Sequence, residues 1–223
     1  MNEIIQNFFN LDIYAQVLPF MLKGLWTTIW LSALVIPLGG AAGLAIALAV
    51  NQSRNRMVRW AIVAYVDFFR AFPPLVLLIL VYFGGPFLGI ELNKVTAVAL
   101  AFVLNNSSYF AEVFRAGLEG VHAGQMEAAR STGLTRFQAL RYVVVPQAVK
   151  NVLPDLVGNG IEIVKLTSIA SVVAIPELLR AARDAQSLVY NPSPIMLAAI
   201  IYLALLWPLT RLLGSLEHRR ARA

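Results

Sequence analysis

An all-α integral membrane bundle is the fold class that this 223-residue sequence predicts, with five spanning helices, the N-terminus outside and the C-terminus inside. Three observations predict it. The chain is 59% hydrophobic and 13% charged, with a mean hydropathy of +0.70, whereas soluble domains carry about a quarter charged residues. Its apolar residues gather into runs long enough to cross a bilayer. Its basic residues are shared unequally between the connections of those runs.

Spans are expected at about 25–50, 60–83, 95–114, 152–175 and 195–213. The first lies in the stretch Gly24–Gln52, which has no charge and can cross about 30 Å of hydrocarbon with some tilt. Each span must be helical, because lipid satisfies no free backbone N–H or C=O. Arg54, Arg56 and Arg59, then Arg130, Arg136, Arg141 and Lys150, then Arg211, Arg219, Arg220 and Arg222 fall on one side, against Lys23, Lys94, Arg180 and Arg183 on the other. Cationic residues stay in the cytoplasm, so the connection 118–150 is cytoplasmic, and an odd number of spans agrees with opposite termini. The net charge of +6 is thereby a topology signal, and no nucleic acid partner is expected. Residues 1–22 hold Glu3 and Asp12 but no Lys or Arg, so no cleaved secretory signal is expected. No cysteine is present, which excludes disulfides and thiolate chemistry. Residues 1–223 read as one transmembrane domain.

Polar groups inside a span are costly and are functional candidates by default. In the second span Asp67 and Arg70 stand at i,i+3, just before Phe72-Pro73-Pro74. Two prolines remove two backbone donors and kink or end the helix, and broken helices mark substrate paths in transporters. The competing reading is an Asp67–Arg70 pair that fixes packing. The third span offers Asn105-Asn106-Ser107-Ser108. These cover too much of the circumference for one interface, so some bond other helices at about 0.6 kcal/mol each and others, Asn105 among them, are candidates for the path. Glu112 and Arg115 read as a structural pair. The fourth span carries "GNGIEIVKLTSIAS". Glu162 and Lys165 lie about 60° apart on the helix and share a face, which Ser168 continues. A free amino acid is a zwitterion, and Glu162, Thr167 and Ser168 can serve its two charges. The opposing reading is simple mutual neutralisation of Glu162 and Lys165.

The outer segment 176–192 reads as a short surface helix or a solvated connector. Glu177 would offset Arg180, Arg180 would pair with Asp184, and Leu178, Leu179, Ala182 and Leu188 would form an apolar side. The segment 127–146, "EAARSTGLTRFQALRYVVVP", is polar, basic and helical in its periodicity. Gly133 suggests a bend between two short helices, Thr135 is a candidate N-cap for the second, and Pro146 is expected to break the helix before the fourth span. Ala128 and Ala129 permit close approach of a partner, and Glu127 offers an acceptor. The segment reads either as a docking element or as a helix packed on the chain's own cytoplasmic end.

Here the chain resembles a family. Glu127-Ala128-Ala129, three residues, Gly133, nine residues, Val143, one residue, Val145 and Pro146 match the EAA loop of type I ABC-importer permease subunits, with Val for the usual Ile and Leu. The stretches "VDFFRAFPPLV", "SSYFAEVFRAG", "GQMEAARSTGLT", "VVVPQAV" and "KLTSIASVVAIPELLRAAR" look like the polar amino-acid branch, over residues 18–220. The resemblance implies a permease working as a homo- or heterodimer with two cytoplasmic ATPase subunits and an extracytoplasmic binding protein, in a bacterial inner membrane. It implies that Glu127, Ala128, Ala129 and Gly133 form the coupling helix seated on the ATPase. It implies that this chain binds no cofactor, ATP and Mg being used by the ATPase. Lys165, Thr167, Ser168 and Ile169 match the family's Lys-x-Thr-Ser pattern. Glu162 is often small and polar in relatives, and an acid there favours a cationic substrate. Leu166, where relatives often have an acid, is a departure.

No G-x-x-x-x-G-K-[ST] phosphate loop occurs in the sequence. His122 and His218 lack metal-ligand spacing, and no metal site is expected. No serine within a span has a histidine beside it, so an intramembrane enzyme is not expected. The remaining alternatives are a channel or secondary transporter independent of ATP, and a scaffold subunit with no substrate site of its own.

Overall fold

The computed structural model describes residues 6–220, with side chains described as far as Glu217. The described residues are helical, and no strand occurs among them. In chain order the elements are α1 (Leu11–Gln52), α2 (Arg56–Ala71), α3 (Pro74–Ile79), α4 (Lys94–Glu119), α5 (Ala123–Ser131), α6 (Arg136–Ala139), α7 (Val145–Asn151), α8 (Leu153–Leu166), α9 (Leu178–Val189) and α10 (Ser193–Arg220). Four helices are long and apolar enough to cross a membrane, at Gln6–Gln52, Lys94–Glu119, Leu153–Val173 and Ser193–Glu217. The bent pair Arg56–Ala71 and Pro74–Leu88 makes a fifth when counted as one span.

Most helix starts follow from local polar side chains that take up orphan N–H groups. Asn10 Oδ1 accepts from the N–H of Asp12 and Ile13 at 3.1 and 3.2 Å. Asn55 accepts from Met57 N–H at 2.9 Å, Asn93 from Thr96 N–H at 2.9 Å and Asn191 from Ser193 N–H at 2.8 Å. α1 has 42 residues, about 63 Å at 1.5 Å per residue, twice the hydrocarbon thickness. It therefore extends well before the expected span 25–50, running through Pro19 and Gly24, with Val17 and Met21 on either side of the proline packed into the core.

The described residues form two compact units. The first comprises 6–36, Pro74–Phe102 and Gly160–Leu212. Its core joins Val17 and Met21 of α1, Leu178, Ala181, Ala182 and Ala185 of α9, and Leu197 and Ala198 of α10. The segment 176–192 thus holds the expected short helix with one apolar side, with that side packed into the core, and the solvated-connector reading gives way. Small residues allow the approach: a Cβ on Gly24 would lie 2.7 Å from Ala181 Cβ. Leu188, expected on the apolar side, is exposed. Glu177 does not offset Arg180 by an ion pair. It is fully buried and caps α9, accepting from Leu179 N–H at 2.8 Å and Arg180 N–H at 2.7 Å. It also accepts from Tyr202 Oη–H at 3.1 Å. The Arg180–Asp184 pair forms as expected, at 2.9 Å.

The second unit comprises Pro37–Pro73, Val103–Asn159 and 213–220. Phe110, Phe114, Ala139, Leu140, Val144, Ala148 and Val152 are buried in it. Pro146 does not break the helix. A π turn over Leu140–Val144 leads straight into α7, with the proline in the first turn of α7. The π turn, in which Val145 N–H bonds Leu140 O, shifts the hydrogen-bond register just ahead of the proline and so accommodates its missing N–H.

Candidate substrate path and coupling segment

The second span breaks where Pro73 and Pro74 fall. In an unbroken helix their N–H groups would bond Phe69 and Arg70 C=O, four residues back. Both carbonyls are taken up by α4. Asn105 Nδ2–H donates to Phe69 O at 2.8 Å and to Phe72 O at 3.4 Å, and Tyr109 Oη–H donates to Arg70 O at 3.1 Å. Asn105 and Tyr109 are i,i+4 neighbours and so reach successive carbonyls. Tyr65 Oη adds bonds to Leu104 O and Ser107 Oγ at 3.2 and 2.8 Å. Asn105 is 2% exposed, and its donor group is committed to the break. Sequence reasoning missed Tyr109. The signal was present, as the only tyrosine one turn beyond Asn105.

Asp67 and Arg70 do not pair with each other. Arg70 lies 4.0 Å from Glu112 and over the Tyr109 ring at 5.8 Å. Glu112 pairs with Arg115, whose Nε–H donates at 3.1 Å, and Arg115 also donates to Glu119 at 2.7 Å. The expected Glu112–Arg115 pair is thus one part of a chain of charges. Asp67 has no ion-pair partner among the described residues. It borders a cavity of about 160 Å³ together with Val66, Glu112 and Arg115.

In the first unit α8 passes into a 3₁₀ segment over Thr167–Val173. Two hydroxyls tighten that turn by taking i−3 carbonyls: Thr167 Oγ1–H donates to Val164 O at 2.7 Å and Ser168 Oγ–H to Lys165 O at 2.8 Å. Thr167 is fully buried. Glu162 and Lys165 form an ion pair, and their side chains are 68% and 48% exposed. Of the seven path candidates, Glu162, Lys165, Thr167 and Ser168 belong to the first unit, and Asp67, Arg70 and Asn105 to the second.

The segment after α4 is two helices with a turn between them. His122 Nδ1 caps α5, accepting from Gly124 N–H at 3.1 Å. Gly133 follows α5 with φ +91°, a left-handed conformation that costs other residues about 1–2 kcal/mol. It is therefore a turn residue and not a weak point within a helix. Thr135 then caps α6 in a capping box with Gln138. Ala129, Ala139 and Leu140 face their own unit, while Glu127, Ala128, Phe137 and Tyr142 are exposed. Arg130, Arg136 and Arg141 are exposed too, so a free surface that is apolar and largely basic, with Glu127 as its acid, remains on the segment. No group of three or more potential metal ligands occurs among the described residues.

The chain has counterparts in sequence and in fold among known proteins. The family of binding-protein-dependent transport system inner membrane components matches residues 39–222. A Bacillus subtilis protein named as an amino-acid ABC transporter permease, YckA, is 37% identical over 78% of this chain and 77% of its own length. The arginine transport system permease protein ArtQ of the same organism is 31% identical over 94% of this chain and 97% of its own. The crystal structure of an amino acid ABC transporter with histidines matches with a TM-score of 0.82 and 36% identity, covering 96% of this chain and 98% of its own. An inward-facing structure of the MetNI methionine ABC transporter, at 19% identity and a TM-score of 0.74, shares the fold. This chain belongs to the family of binding-protein-dependent transport system inner membrane components, and it is a membrane transport subunit rather than an enzyme.

Proposed function

We propose that the chain is the permease subunit of an ATP-driven importer of polar amino acids, with a preference for cationic ones. One observation carries the proposal. Glu162 and Lys165 occupy the middle of the spanning segment Leu153–Val173, yet their side chains are 68% and 48% exposed. A charge facing lipid there costs about 2.5–3.5 kcal/mol on insertion scales. The pair therefore faces a water-filled path or a second subunit that encloses one. An amino acid entering the path exchanges with the pair: its carboxylate takes Lys165 and its ammonium takes Glu162, with Ser168 Oγ as a further polar contact. A cationic side chain adds positive charge, which Glu162 favours. In the second unit Asp67, which has no ion-pair partner among the described residues, is a separate acidic candidate. Asn105 and Thr167 act through the backbone they hold.

The rest of the reading follows from the family. Residues 1–223 form one transmembrane domain in a bacterial inner membrane, N-terminus outside, with 118–150 in the cytoplasm. Two such permease subunits, identical or related, assemble with two ATPases and an extracytoplasmic binding protein. Glu127, Ala128 and Gly133 are exposed and form the docking surface for the ATPase, which holds ATP and Mg, whereas Ala129, expected among them, is buried against its own unit and supports that surface from behind. ATP binding closes the ATPases, the coupling segment moves with the spans, and the path opens outward to receive the amino acid; hydrolysis resets it.

The test is reconstitution in vesicles with the ATPase and binding protein. Amino-acid uptake that requires ATP, with hydrolysis stimulated most by arginine, lysine or histidine, is the expected result. Uptake without ATP or ATPase would establish a channel or secondary transporter instead.

A further inference from the structure

We propose that the groove lined by Arg54, Arg56, Arg59, Trp60 and Val63 is a binding site for the headgroup of an anionic phospholipid. The groove encloses about 440 Å³, within the range of small-ligand sites. Arg54, Arg56, Arg59 and Trp60 are exposed, and no acidic residue pairs with the three arginines among the described residues. Arg59 also borders a smaller cavity with Glu119, whose carboxylate is committed to Arg115.

Position along the helix gives the site its direction. Arg56, Arg59, Trp60 and Val63 stand at i, i+3, i+4 and i+7 of α2 and so form one stripe. Along it the chemistry changes from guanidinium to indole to aliphatic within about 10 Å. A bilayer leaflet makes the same change from phosphate to glycerol to acyl chain over a similar depth. Arg56 begins α2, where the positive end of the helix dipole adds to the attraction for phosphate. Met57 and Val58 are exposed beside the stripe, which supplies further apolar surface for acyl chains. Guanidinium binds phosphate bidentately. An acidic protein surface or a free anion would use the arginines but leave Trp60 and Val63 without a partner, so the lipid is the favoured occupant.

The experiment uses the full chain in phosphatidylcholine vesicles carrying a fixed share of brominated lipid, and it reads the fluorescence lost from Trp60. That component is the difference between the parent chain and Trp60→Phe. Brominated phosphatidylglycerol is expected to quench it several-fold more than brominated phosphatidylcholine at the same mole fraction. Arg56→Gln with Arg59→Gln lowers the apparent affinity for phosphatidylglycerol more than about tenfold, since each surface cation contributes about fivefold. The Arg56→Lys, Arg59→Lys variant keeps part of the preference and guards against misfolding, with unchanged helicity as the control. Equal quenching by the two lipids overturns the proposal. Displacement by inorganic phosphate overturns it in favour of a free-anion site. Exclusion of the lipid when the ATPase subunit is added overturns it in favour of a protein interface.

Discussion

Asn105 in α4 and Glu162 in α8 are both polar side chains midway along spanning helices, and the fold uses them in opposite ways. Asn105 is 2% exposed, with its amide on two backbone carbonyls. Glu162 is 68% exposed, and its one ion-pair partner is Lys165, itself half exposed. The first is a polar group inside the membrane that offsets a backbone defect created by Pro73 and Pro74. The second neutralises a neighbour and leaves its remaining surface open. In a span, burial with full satisfaction marks a structural polar group, and exposure marks one that something else must meet.

The sharpest way to break this contrast is Asn105→Leu. It leaves the Phe69 and Phe72 carbonyls without their donor in a water-poor setting, and a loss of about 2–3 kcal/mol is expected. Thermal unfolding of the purified subunit in detergent reads it, and an unchanged midpoint would mean the break has other support. Gly133→Val, on the open coupling segment, forces a β-branched residue into φ +91° at about 1–2 kcal/mol. The space around it is clear, with nothing within 4 Å of the added Cβ, so insertion should proceed while more ATP is hydrolysed per amino acid imported. An unaltered ratio would argue against a docking role. Tyr109→Phe removes one donor from the same break as Asn105, and about 1 kcal/mol is expected in the same unfolding assay.

Glu177 adds a pH dependence of smaller size. Burial holds its carboxyl above the ordinary value of 4.5, against the lowering effect of its bonds from Leu179 and Arg180 N–H. A raised folded value means that its contribution to stability is complete below 4.5 and is lost as pH rises through the folded value. Glu177→Gln should flatten stability over that window, and unfolding midpoints measured from pH 4 upward check the sign. A variant with the parent's slope would assign the dependence to another group.

Much of this was legible in the sequence where the cause is local. The proline pair predicted the break in the second span, Gly133 the bend and Thr135 the cap, because each acts on the nearest few residues. The Glu112–Arg115 and Arg180–Asp184 pairs followed from helical spacing. What spacing could not reveal was who answers the break. Asn105 and Tyr109 lie 33 to 39 residues from the carbonyls they serve, and four consecutive polar residues do not declare which one turns toward them. The Asp67–Arg70 pair failed for the same reason: spacing allowed it, but Glu112 of another helix took the arginine. Glu177 looked like a surface charge, because a buried acid at a helix start depends on Tyr202, 25 residues on. Pro146 misled because a π turn ahead of it shifts the hydrogen-bond register, so the helix runs on through the proline. Of the candidate path, the residue types were readable, but their exposure was not.

The most direct test of the central claim is the uptake profile of Glu162→Gln in vesicles with the ATPase and binding protein present. An exposed pair adds little to stability, less than about 1 kcal/mol, so the variant should insert and unfold like its parent. Its preference should move away from arginine and lysine toward neutral amino acids by about tenfold, the effect of one lost charge-assisted contact, with ATP still required. An uptake profile identical to the parent's would contradict the claim and leave the Glu162–Lys165 pair as a spectator of transport.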